Sequence, residues 1–416
     1  MFVGSQGRMF AGNKQTGSGA TFGRVILHCD CNCFFASVEM VAHPEYRNVP
    51  MAVCGSKAER HGIVLAKNEL AKKAGVSTGE VIWQAKRKCP SLVIAEPHYN
   101  LYEEYSAEVN RIFAEYTDMI EPFGIDESWL DVTGSAYLFG SGKKIADEIR
   151  QRIKKELGIT VSVGVSFNKT FAKLGSDYKK PDATTVITPE NYRELLFPLP
   201  IGDMLYIGRH TVPRMKLLGI NTIGDLASSD VDMLGTQFGK TGRMMYELCN
   251  GRDVSPVISV PPKAKSYSNG MTFVRDLENE RDYRAAVTYL AEKVSFRMRR
   301  DRAKCRVAGV AVRDTLLNVT DRRRRMASAT SSTDVLINEF WNLLVLNWDV
   351  SKPARSITLF CSDVENEFPS EQLKFFYSAE ETRIMKGESL DASVDKLRER
   401  YGKGIICRGC IMNGVV

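Results

Sequence analysis

The sequence predicts a multidomain α+β protein, and three observations support this fold class. The chain has 416 residues, which is more than one hydrophobic core usually organises. Its first half alternates strand-like and helix-like segments, whereas the region after Thr188 is all-helical. The stretch from Ser266 to Ser362 alternates again, in a βαββαβ-like order. We therefore expect a sheet domain, a helical domain and a small α+β domain.

The first domain is expected to be a sheet built around one strand pair that carries carboxylates. Residues 1–22 are rich in Gly and Ser with little to bury, so we expect a disordered leader. The strand Val25–Asp30 is apolar enough to be central in a sheet, and a helix follows from Cys33 to Met40. The other predicted elements are the helix Tyr99–Tyr116, the strands Ile120–Ile125 and Trp129–Val132, the helix Lys143–Leu157 and the strand Thr160–Val165.

A small subdomain interrupts this sheet domain before Pro97. Its elements are short and its loops frequent, with a strand at Met51–Cys54 and a helix at Asn68–Lys73 that Gly75 ends. This insert is too short to hold a second large core.

The helical region and the last domain follow in sequence. A helix near Val212–Leu218 ends at Gly219, and Thr222-Ile-Gly-Asp225 begins another with a capping-box-like pattern. The Pro-containing stretch Pro256–Lys265 is typical of a linker. In the last domain we predict helices near Asp282–Asp301 and Thr333–Leu346 among strands such as Arg306–Arg313 and Arg355–Phe360, and in the tail a helix at Leu390–Tyr401.

Charge and composition narrow the function classes. The net charge is +7, and the segment Ala291–Arg325 alone holds 12 Lys/Arg against 4 Asp/Glu, which is typical of a polyanion-binding face. A solvated surface is the alternative on charge alone. The sequence contains no run of 18 apolar residues, so it predicts no membrane span. The ten cysteines, including the CxxC of Cys407 and Cys410, lack the spacing of a disulfide framework or a zinc ribbon, so we expect reduced thiols in a cytoplasmic protein.

Three carboxylates are candidate metal ligands. Asp30 ends a strand, and Asp126 and Glu127 stand at a strand-turn-strand transition about 95 residues later. Two magnesium ions, held about 3.5–4 Å apart by such hard oxygen ligands, serve phosphoryl transfer. Taken alone the pattern is weak, because a strand-terminal Asp is often a cap and an Asp-Glu pair is often a solvated turn.

Three motifs resolve this ambiguity by resemblance. Asp30–Glu39 (DCNCFFASVE), Phe123–Thr133 (FGIDESWLDVT) and Val161–Pro181 (VSVGVSFNKTFAKLGSDYKKP) resemble, in order and spacing, the palm motifs of Y-family translesion DNA polymerases. The resemblance covers roughly Gly23 to Tyr401. Asn32, Cys33 and the KNELAK stretch look more like the bacterial polymerase V catalytic subunit than like polymerase IV.

The resemblance implies a right-hand polymerase with palm, small fingers, a helical thumb with a helix-hairpin-helix, and a little-finger domain with one β-sheet and two helices. The expected boundaries are: leader 1–22; palm 23–33 and 98–189; fingers 34–97; thumb 190–256; linker 257–265; little finger 266–365; tail 366–416.

The resemblance also implies site residues. Asp30 and Asp126 would bind both Mg²⁺ ions, Glu127 the ion that activates the primer 3′-hydroxyl, and the Cys31 carbonyl would complete one coordination shell. Phe35 would be the steric gate against a 2′-hydroxyl, with Phe34 supporting it; the alternative is that both are core aromatics.

Lysines are expected on the incoming triphosphate. Lys180 and Lys72 match family lysines, and Lys67 is a substitute candidate. Glu69 stands where many members have a phosphate-binding tyrosine, so we expect it to turn away or to pair with Lys72 or Lys73. Asp131 and Asp177 are expected to satisfy local groups rather than metal.

DNA binding is expected from the thumb and the little finger. Gly208 and Gly219 lie in helix-hairpin-helix turns whose backbone N–H groups can face phosphates, although an ordinary αα-hairpin is the alternative. The basic candidates are Arg297, Arg299, Arg300, Arg306 and a predicted four-arginine loop of Arg322, Arg323, Arg324 and Arg325.

The tail carries a candidate partner motif. Gln372, Leu373, Phe375 and Phe376 resemble the short peptide by which bacterial polymerases bind the sliding clamp, although the two phenylalanines could equally pack on their own domain.

The function expected from these features is translesion DNA synthesis. A monomeric, DNA-damage-related (SOS) enzyme would add dNTPs to primer-template DNA with Mg²⁺, at low fidelity and without proofreading, with the sliding clamp and accessory SOS subunits as further partners. The alternatives are a catalytically silent DNA-binding scaffold and a palm-type nucleotidyl cyclase.

Overall fold

The computed structural model describes residues 23–56, 62–366, 379–402 and 404–411. The expected leader and the peptide Gln372–Phe376 lie outside these ranges. Of the helices within them, none is both long and apolar enough to span a bilayer.

Strands and helices alternate through the first half of the chain. Its elements are β1 Ile26–Cys31, α1 Phe34–Ala42, β2 Met51–Cys54, β3 Val64–Lys67, α2 Glu69–Lys73, α3 Ile82–Lys88, β4 Val93–Ala95, α4 Tyr99–Ala114, β5 Ile120–Pro122, β6 Glu127–Asp131, α5 Ala136–Phe139, α6 Gly142–Leu157, β7 Val161–Ser166, α7 Lys169–Tyr178 and β8 Thr184–Val186.

The second half is helical and then mixed. Its elements are α8 Tyr192–Leu196, α9 Thr211–Leu217, α10 Ile223–Ala227, α11 Val231–Cys249, β9 Ser266–Leu277, α12 Glu280–Arg300, β10 Ala303–Asp314, β11 Val319–Thr330, α13 Thr333–Asn347, β12 Ala354–Asn366 and α14 Ala379–Tyr401.

The chain divides into two compact units. The first comprises the chain up to Pro44 together with His98–Val260, and the second comprises Glu45–Pro97 and Pro261–Val416. Helix α1 therefore groups with the sheet domain, whereas the expected boundaries assigned it to the fingers. Its aromatic side chains explain this grouping, because Phe35 stacks on Tyr102 of α4 with ring centroids 4.2 Å apart.

The first unit is built on a five-stranded sheet in the order β5-β6-β1-β7-β8. Strand β1 is central, as its apolar sequence predicts, and pairs antiparallel with β6 on one side and β7 on the other. Helix α7 packs against β7 so closely that a Cβ on Gly164 would lie 1.8 Å from the Ala172 carbonyl oxygen. Only glycine permits this approach.

The helical region of the first unit has its own core. Leu196, Ile223, Leu226 and Leu234 are fully buried there. The predicted capping box of α10 is present, with Thr222 and Asp225 each bonded to the other's backbone N–H. Gly219 has φ +79°, which explains why a glycine follows α9.

The second unit contains two sheets. Met51–Cys54 pairs with β3 and β4 in a small three-stranded sheet. The larger sheet has the order β11-β10-β12-β9 and carries α12 and α13 over one face, so the predicted βαββαβ order is confirmed. Ala308, Val310 and Val312 of β10 point into the core beneath these helices.

The predicted four-arginine loop is wrong. Arg322–Arg325 lie inside strand β11, in register with Val310, Gly309, Ala308 and Val307 of β10. Four consecutive arginines show no apolar alternation. They are tolerated in a strand here because β11 is at the edge of the sheet, where long charged side chains keep their ends in water.

Candidate functional site

The register of the central sheet brings the three predicted carboxylates together. Asp30 of β1 lies directly opposite Glu127 of β6, and the N–H of Cys31 donates to the Asp126 carbonyl at 2.9 Å. A bend between β5 and β6 leaves Asp126 at the tip of this pair. Antiparallel pairing therefore joins two segments that are far apart in sequence.

Two lysines hold these carboxylates. Lys180 Nζ lies 2.9 Å from Asp30 Oδ1 and 2.8 Å from Asp177 Oδ1. Lys173 Nζ lies 2.5 Å from Glu127 Oε2. The sequence predicted Lys180 at the site but gave no reason to select Lys173, which stands on α7 among mostly buried residues.

A buried histidine lies behind Glu127. His28 is fully buried, its Nε2 lies 3.3 Å from Glu127 Oε2, and its Nδ1 lies 2.8 Å from the Ser176 hydroxyl oxygen. Burial lowers the pKa of His28, so it is neutral at physiological pH. Sequence analysis missed His28, although a polar residue inside an apolar central strand was a usable signal.

The carboxylates differ in their protonation energetics. Burial raises the pKa of Asp30 despite Lys180, and burial together with repulsion from Asp30 and Glu127 raises the pKa of Asp126. Burial opposes ionisation of Glu127 too, but the neighbouring His28 and Lys173 outweigh it and lower the pKa of Glu127 to about 2.

This donor set fits divalent cations of the hard type. The carboxylates are close enough to repel one another, and carboxylate oxygen is the ligand that Mg²⁺ prefers. Among the residues that the structure describes, no three acidic, histidine or cysteine side chains converge around one point in a metal-binding arrangement. Glu127 and Asp30 are paired with Lys173 and Lys180 instead.

The loop that carries Lys180 is fixed by Asn32. The Asn32 Oδ1 accepts from the Asp182 N–H at 2.9 Å and from the Thr160 hydroxyl at 3.0 Å, and its Nδ2 donates to Ser162 Oγ at 2.9 Å. Because Asp182 follows Lys180 and Pro181, this buried amide sets where Lys180 can reach.

The two predicted aromatics differ in exposure. Phe34 is buried, whereas Phe35 is half-buried and stacks on Tyr102 with ring centroids 4.2 Å apart and planes at 13°. Tyr99 meets Phe35 edge-on at 6.0 Å. This arrangement agrees with a surface role for Phe35 and a supporting role for Phe34.

A buried carboxylate supports this aromatic pair. Glu39 is 1% exposed and accepts hydrogen bonds from the Tyr102 hydroxyl and from His98 Nδ1, the latter at 2.9 Å. Glu39, Tyr102 and His98 were not selected from the sequence, although an acidic residue on the apolar face of α1 signals a buried polar contact.

Local partners are found for the acidic residues that were not expected to bind metal. Asp131 accepts from the N–H and hydroxyl of Thr133, and Asp177 pairs with Lys180. The expected local partners are therefore present.

The finger-side lysines belong to the second unit. Lys72 Nζ lies 3.5 Å from Glu69 Oε1, which confirms the expected pairing of Glu69. Lys67 Nζ donates to the Thr78 hydroxyl at 3.1 Å. Contacts of Lys67 and Lys72 with a triphosphate stay a prediction.

The two thumb glycines differ in the hydrogen bonds that their backbone groups make. The Gly219 N–H donates to the Lys216 carbonyl at 3.0 Å, so it is engaged within its own hairpin. Gly208 stands where a Cβ would meet nothing within 4 Å, and its carbonyl accepts the N–H groups of Thr211 and Val212 at the start of α9. Contacts of Gly208 and Gly219 with a phosphate stay predictions.

The arginines of the last domain separate into two faces. Arg323 and Arg325 lie opposite Gly309 and Val307, on the face of the sheet away from α12 and α13, whereas Arg324 reaches Glu339 of α13. Arg323 stacks over Phe360 with its guanidinium carbon 4.5 Å from the ring centroid. Arg325 pairs with Asp363 at 2.6 Å.

The remaining candidate arginines are engaged to different degrees. Arg299 is mostly buried and bound by Asp391 and Asp395 of α14, so it leaves the proposed DNA-binding set. Arg297 donates to the Ser268 carbonyl, Arg300 pairs with Asp301, and Arg306 pairs with Glu365.

Comparison with known families assigns all three regions of the chain. Residues 29–177 match the impB/mucB/samB family, residues 264–375 match the C-terminal domain of that family, and residues 205–253 match the thumb domain of DNA polymerase-iota.

Full-length relatives give the same result. DNA polymerase IV of Acetivibrio thermocellus is 44% identical over 393 residues, which are 94% of this chain and 98% of the relative. DNA polymerase IV of Moorella thermoacetica is 33% identical over 94% of this chain and 96% of its own. DNA polymerase IV 1 of Bacillus subtilis is also 33% identical, over 94% of this chain and 93% of its own.

A solved structure shares the architecture. A Y-family DNA polymerase chimera of Dbh and Dpo4 superposes with a TM-score of 0.71 at 26% identity, and the match covers 82% of this chain and 100% of the chimera.

Fold and site together define a polymerase with a carboxylate-bearing palm, a helix-hairpin-helix thumb and a little finger. The chain belongs to the Y family of DNA polymerases, within the impB/mucB/samB group.

The expected closeness to polymerase V is not supported. The relatives named above are DNA polymerase IV proteins, and their similarity spans more than nine-tenths of the chain. Asn32, Cys33 and the KNELAK stretch are a few positions only, and Asn32 serves a structural role at the Lys180 loop. Such local features do not separate subtypes.

Proposed function

We propose that this chain is a translesion DNA polymerase that adds dNTPs to a primer 3′-hydroxyl opposite damaged template bases. The observation that carries this proposal is the register of Asp30 against Glu127, with Asp126 beside them, at one end of the palm sheet. In the catalytic complex Asp30 and Asp126 would hold two Mg²⁺ ions, with Glu127 and the Cys31 carbonyl completing the shells. Bound there, the ions would neutralise the charge that develops during in-line phosphoryl transfer.

The chain's own residues prepare the rest of the nucleotide pocket. Lys180 is held near Asp30 by the Asn32-bonded loop, and an ammonium at that position is suited to an incoming triphosphate. Lys67 and Lys72 are proposed as finger-side phosphate contacts. Phe35, fixed by its stack on Tyr102, leaves no room for a 2′-hydroxyl beneath the sugar.

Low fidelity follows from the small fingers. In the part of Glu45–Pro97 that the structure describes, the strands are three or four residues long and the α-helices five or seven, so we expect this small domain to give the nascent base pair only a slight cover. A slight cover tolerates bulky template lesions and discriminates weakly between matched and mismatched pairs.

The protein would hold DNA by contacts to the phosphates of the DNA backbone. The face of the large sheet away from its helices presents Arg323 and Arg325 with the small or hydroxyl residues Ser268, Gly270 and Thr358. Arginines and hydroxyls bind phosphate oxygens without reading bases, so the grip is indifferent to sequence. Gly208 of the thumb, with Arg297, Arg300 and Arg306, extends this proposed set, whereas Arg322 lies on the same face of β11 as Arg324 and leaves it.

Partners beyond DNA belong to the proposal as well. The Gln372–Phe376 peptide, which follows β12 and precedes α14, would bind a sliding clamp. We also propose that the protein acts as a monomer in the cytoplasm and works with accessory subunits that are produced after DNA damage.

Primer extension tests the proposed function. We expect the wild-type chain to extend a primer with Mg²⁺ on undamaged template and to insert a nucleotide opposite a template abasic site, and we expect EDTA to stop both. A wild-type protein that binds primer-template but extends nothing at any dNTP concentration would instead be a silent scaffold.

A further inference from the structure

Lys173 is bonded to one carboxylate oxygen of Glu127, a proposed metal ligand. Its ammonium lies 2.5 Å from Glu127 Oε2 and 5.2 Å from the centre of the Phe123 ring. The same oxygen lies 3.3 Å from His28 Nε2. Both side chains of the ion pair are more than four-fifths buried, with 18% and 16% exposure, so water screens their charges weakly.

Lysine and a divalent cation compete for this position. A carboxylate oxygen can be bonded to an ammonium or coordinate a metal ion, and an ammonium a few ångströms from a divalent ion repels it.

We propose that Lys173 is a positioning residue that stands in for the cation at Glu127. It orients this carboxylate and balances its charge in the free enzyme, and it weakens divalent-cation binding until primer and dNTP bring further negative charge. This inference rests on the proposed function, because it presumes that Glu127 is a metal ligand. It goes beyond that function by assigning Lys173 control over when the cation binds.

Lys180 does not share this role. It is bonded to Asp177 as well as to Asp30, and its proposed task is to contact the triphosphate. Lys173 is one helical turn after Lys169 on α7 and extends from a rigid, mostly buried helix. Its long side chain can withdraw from Glu127 by rotation about its own bonds while α7 stays in place.

Lys169 provides a matched control. It also stands on α7, pairs with a glutamate (Glu121 Oε1 at 2.6 Å) and lies over an aromatic ring (Trp129, 4.4 Å from the ring centre). Within the part of the chain that the structure describes, its ammonium bonds to Glu121 and to none of the three carboxylates. Lys169→Met therefore removes the same kind of interaction from the same helix without touching the site.

The test measures Mn²⁺ binding to the free full-length enzyme by electron paramagnetic resonance of unbound Mn²⁺. We expect Lys173→Met to bind Mn²⁺ about tenfold more tightly than wild type, since a neighbouring positive charge has gone. Lys169→Met and the charge-preserving Lys173→Arg should bind as wild type does. As a second readout, Mg²⁺ should raise the melting temperature of Lys173→Met by more than that of wild type.

Two sets of results would overturn the inference. If Lys173→Met binds Mn²⁺ no more tightly than wild type, or Lys173→Arg binds as tightly as Lys173→Met, the charge of Lys173 does not control the cation. If wild type and Lys173→Met both fail to bind Mn²⁺, or Asp126→Asn leaves binding unchanged, the carboxylates do not bind the cation in the free enzyme and the inference fails, while primer extension still decides the proposed function separately.

Discussion

At the scale of single residues, the site is organised by charge balance within a partly buried space. Asp30, Asp126 and Glu127 are brought together by strand pairing, and Lys180 and Lys173 hold two of them. Asp30 and Glu127 are therefore ordered before any cofactor or substrate binds. Preorganised ligands lose little entropy when the catalytic complex forms.

The sequence predicted the three carboxylates, Phe35 and Lys180, but not the side chains that hold them. Motifs reveal residues of a known chemistry, whereas Lys173, His28 and Asn32 act through contacts that only the fold creates. His28 and Glu127 are adjacent because β1 pairs with β6, and no local pattern encodes that pairing.

Replacement of Phe35 by alanine should relax sugar discrimination. Without the ring that stacks on Tyr102, a 2′-hydroxyl meets no obstacle, so the ratio of rNTP to dNTP insertion should rise at least about tenfold. Single-nucleotide insertion kinetics measure this ratio. Phe34→Leu, which alters a buried neighbour only, should leave the ratio close to the wild-type value, and an equal rise in both variants would argue against a gate at Phe35.

Asn32→Ala should weaken dNTP binding more than it slows turnover. The substitution removes the acceptor for the Asp182 N–H and so releases the loop that carries Lys180. We expect KM for dNTP to rise about tenfold, the size of effect that loss of one buried hydrogen bond to a positioning loop produces. Ser162→Ala removes one partner of Asn32 and leaves this bond intact. A KM unchanged in Asn32→Ala would separate the loop from triphosphate binding.

At the scale of elements, hydrophobic periodicity placed several helices and strands to within one or two residues, whereas others, such as α7, α11 and β9, were not predicted. The strand Met51–Cys54 and the start of α4 at Tyr99 agree with their predicted positions, and α6 begins one residue before its predicted start. Strand β11 was missed because its four arginines lack alternation, and its pairing with β10 is a tertiary effect. An edge strand tolerates consecutive charged side chains, so this segment forms a strand although its sequence pattern indicates a loop.

Strand β11 should contribute to DNA binding through alternate arginines. Arg323→Ala and Arg325→Ala should each lower the slope of log affinity against log salt by about 1, because each removes a phosphate contact on the open face. Arg324→Ala is the control, since this side chain turns to Glu339 of α13. Fluorescence anisotropy with primer-template at several salt concentrations gives the slopes. Equal effects from Arg323 and Arg324 would refute the assignment of faces.

The start of α12 should lose stability in acid. Asp282 is 3% exposed and accepts two hydrogen bonds from Arg275 at 2.6 and 2.9 Å, and these lower its pKa. A lowered pKa means that the carboxylate stabilises the fold above its unfolded pKa, about 3.9, and that this contribution disappears as pH falls through the lower folded value.

Asp282→Asn should therefore destabilise the little finger by about 1–2 kcal/mol at pH 7. This value is in the lower part of the range for a charged hydrogen bond, because Arg275 is half exposed and water screens its charge. Hydrogen exchange of α12 in variant and wild type would show this difference at pH 7 and a smaller one below about pH 4. A difference that is constant with pH would exclude the carboxylate charge as its cause.

At the scale of the whole molecule, the chain forms two compact units that contain different functional domains. One contains the palm and thumb with the carboxylate site, and the other contains the fingers segment and the basic little finger. The surplus of basic residues in Ala291–Arg325 exceeds the net charge of +7, so the excess positive charge, and with it the proposed DNA contact, lies mainly in one domain. Family membership was predictable from three motifs, whereas the subtype was not, because it depends on similarity spread over the entire chain.

The most direct test of the central claim is single-turnover nucleotide insertion by carboxylate variants with DNA affinity measured in parallel. Asp30→Asn, Asp126→Asn and Glu127→Gln should each reduce the insertion rate by a factor on the order of 10³ or more, with primer-template affinity within about twofold of wild type, because the variants keep shape but lose metal-binding charge. If Asp126→Asn inserted nucleotides at a rate near that of wild type, the three carboxylates would not be the catalytic centre.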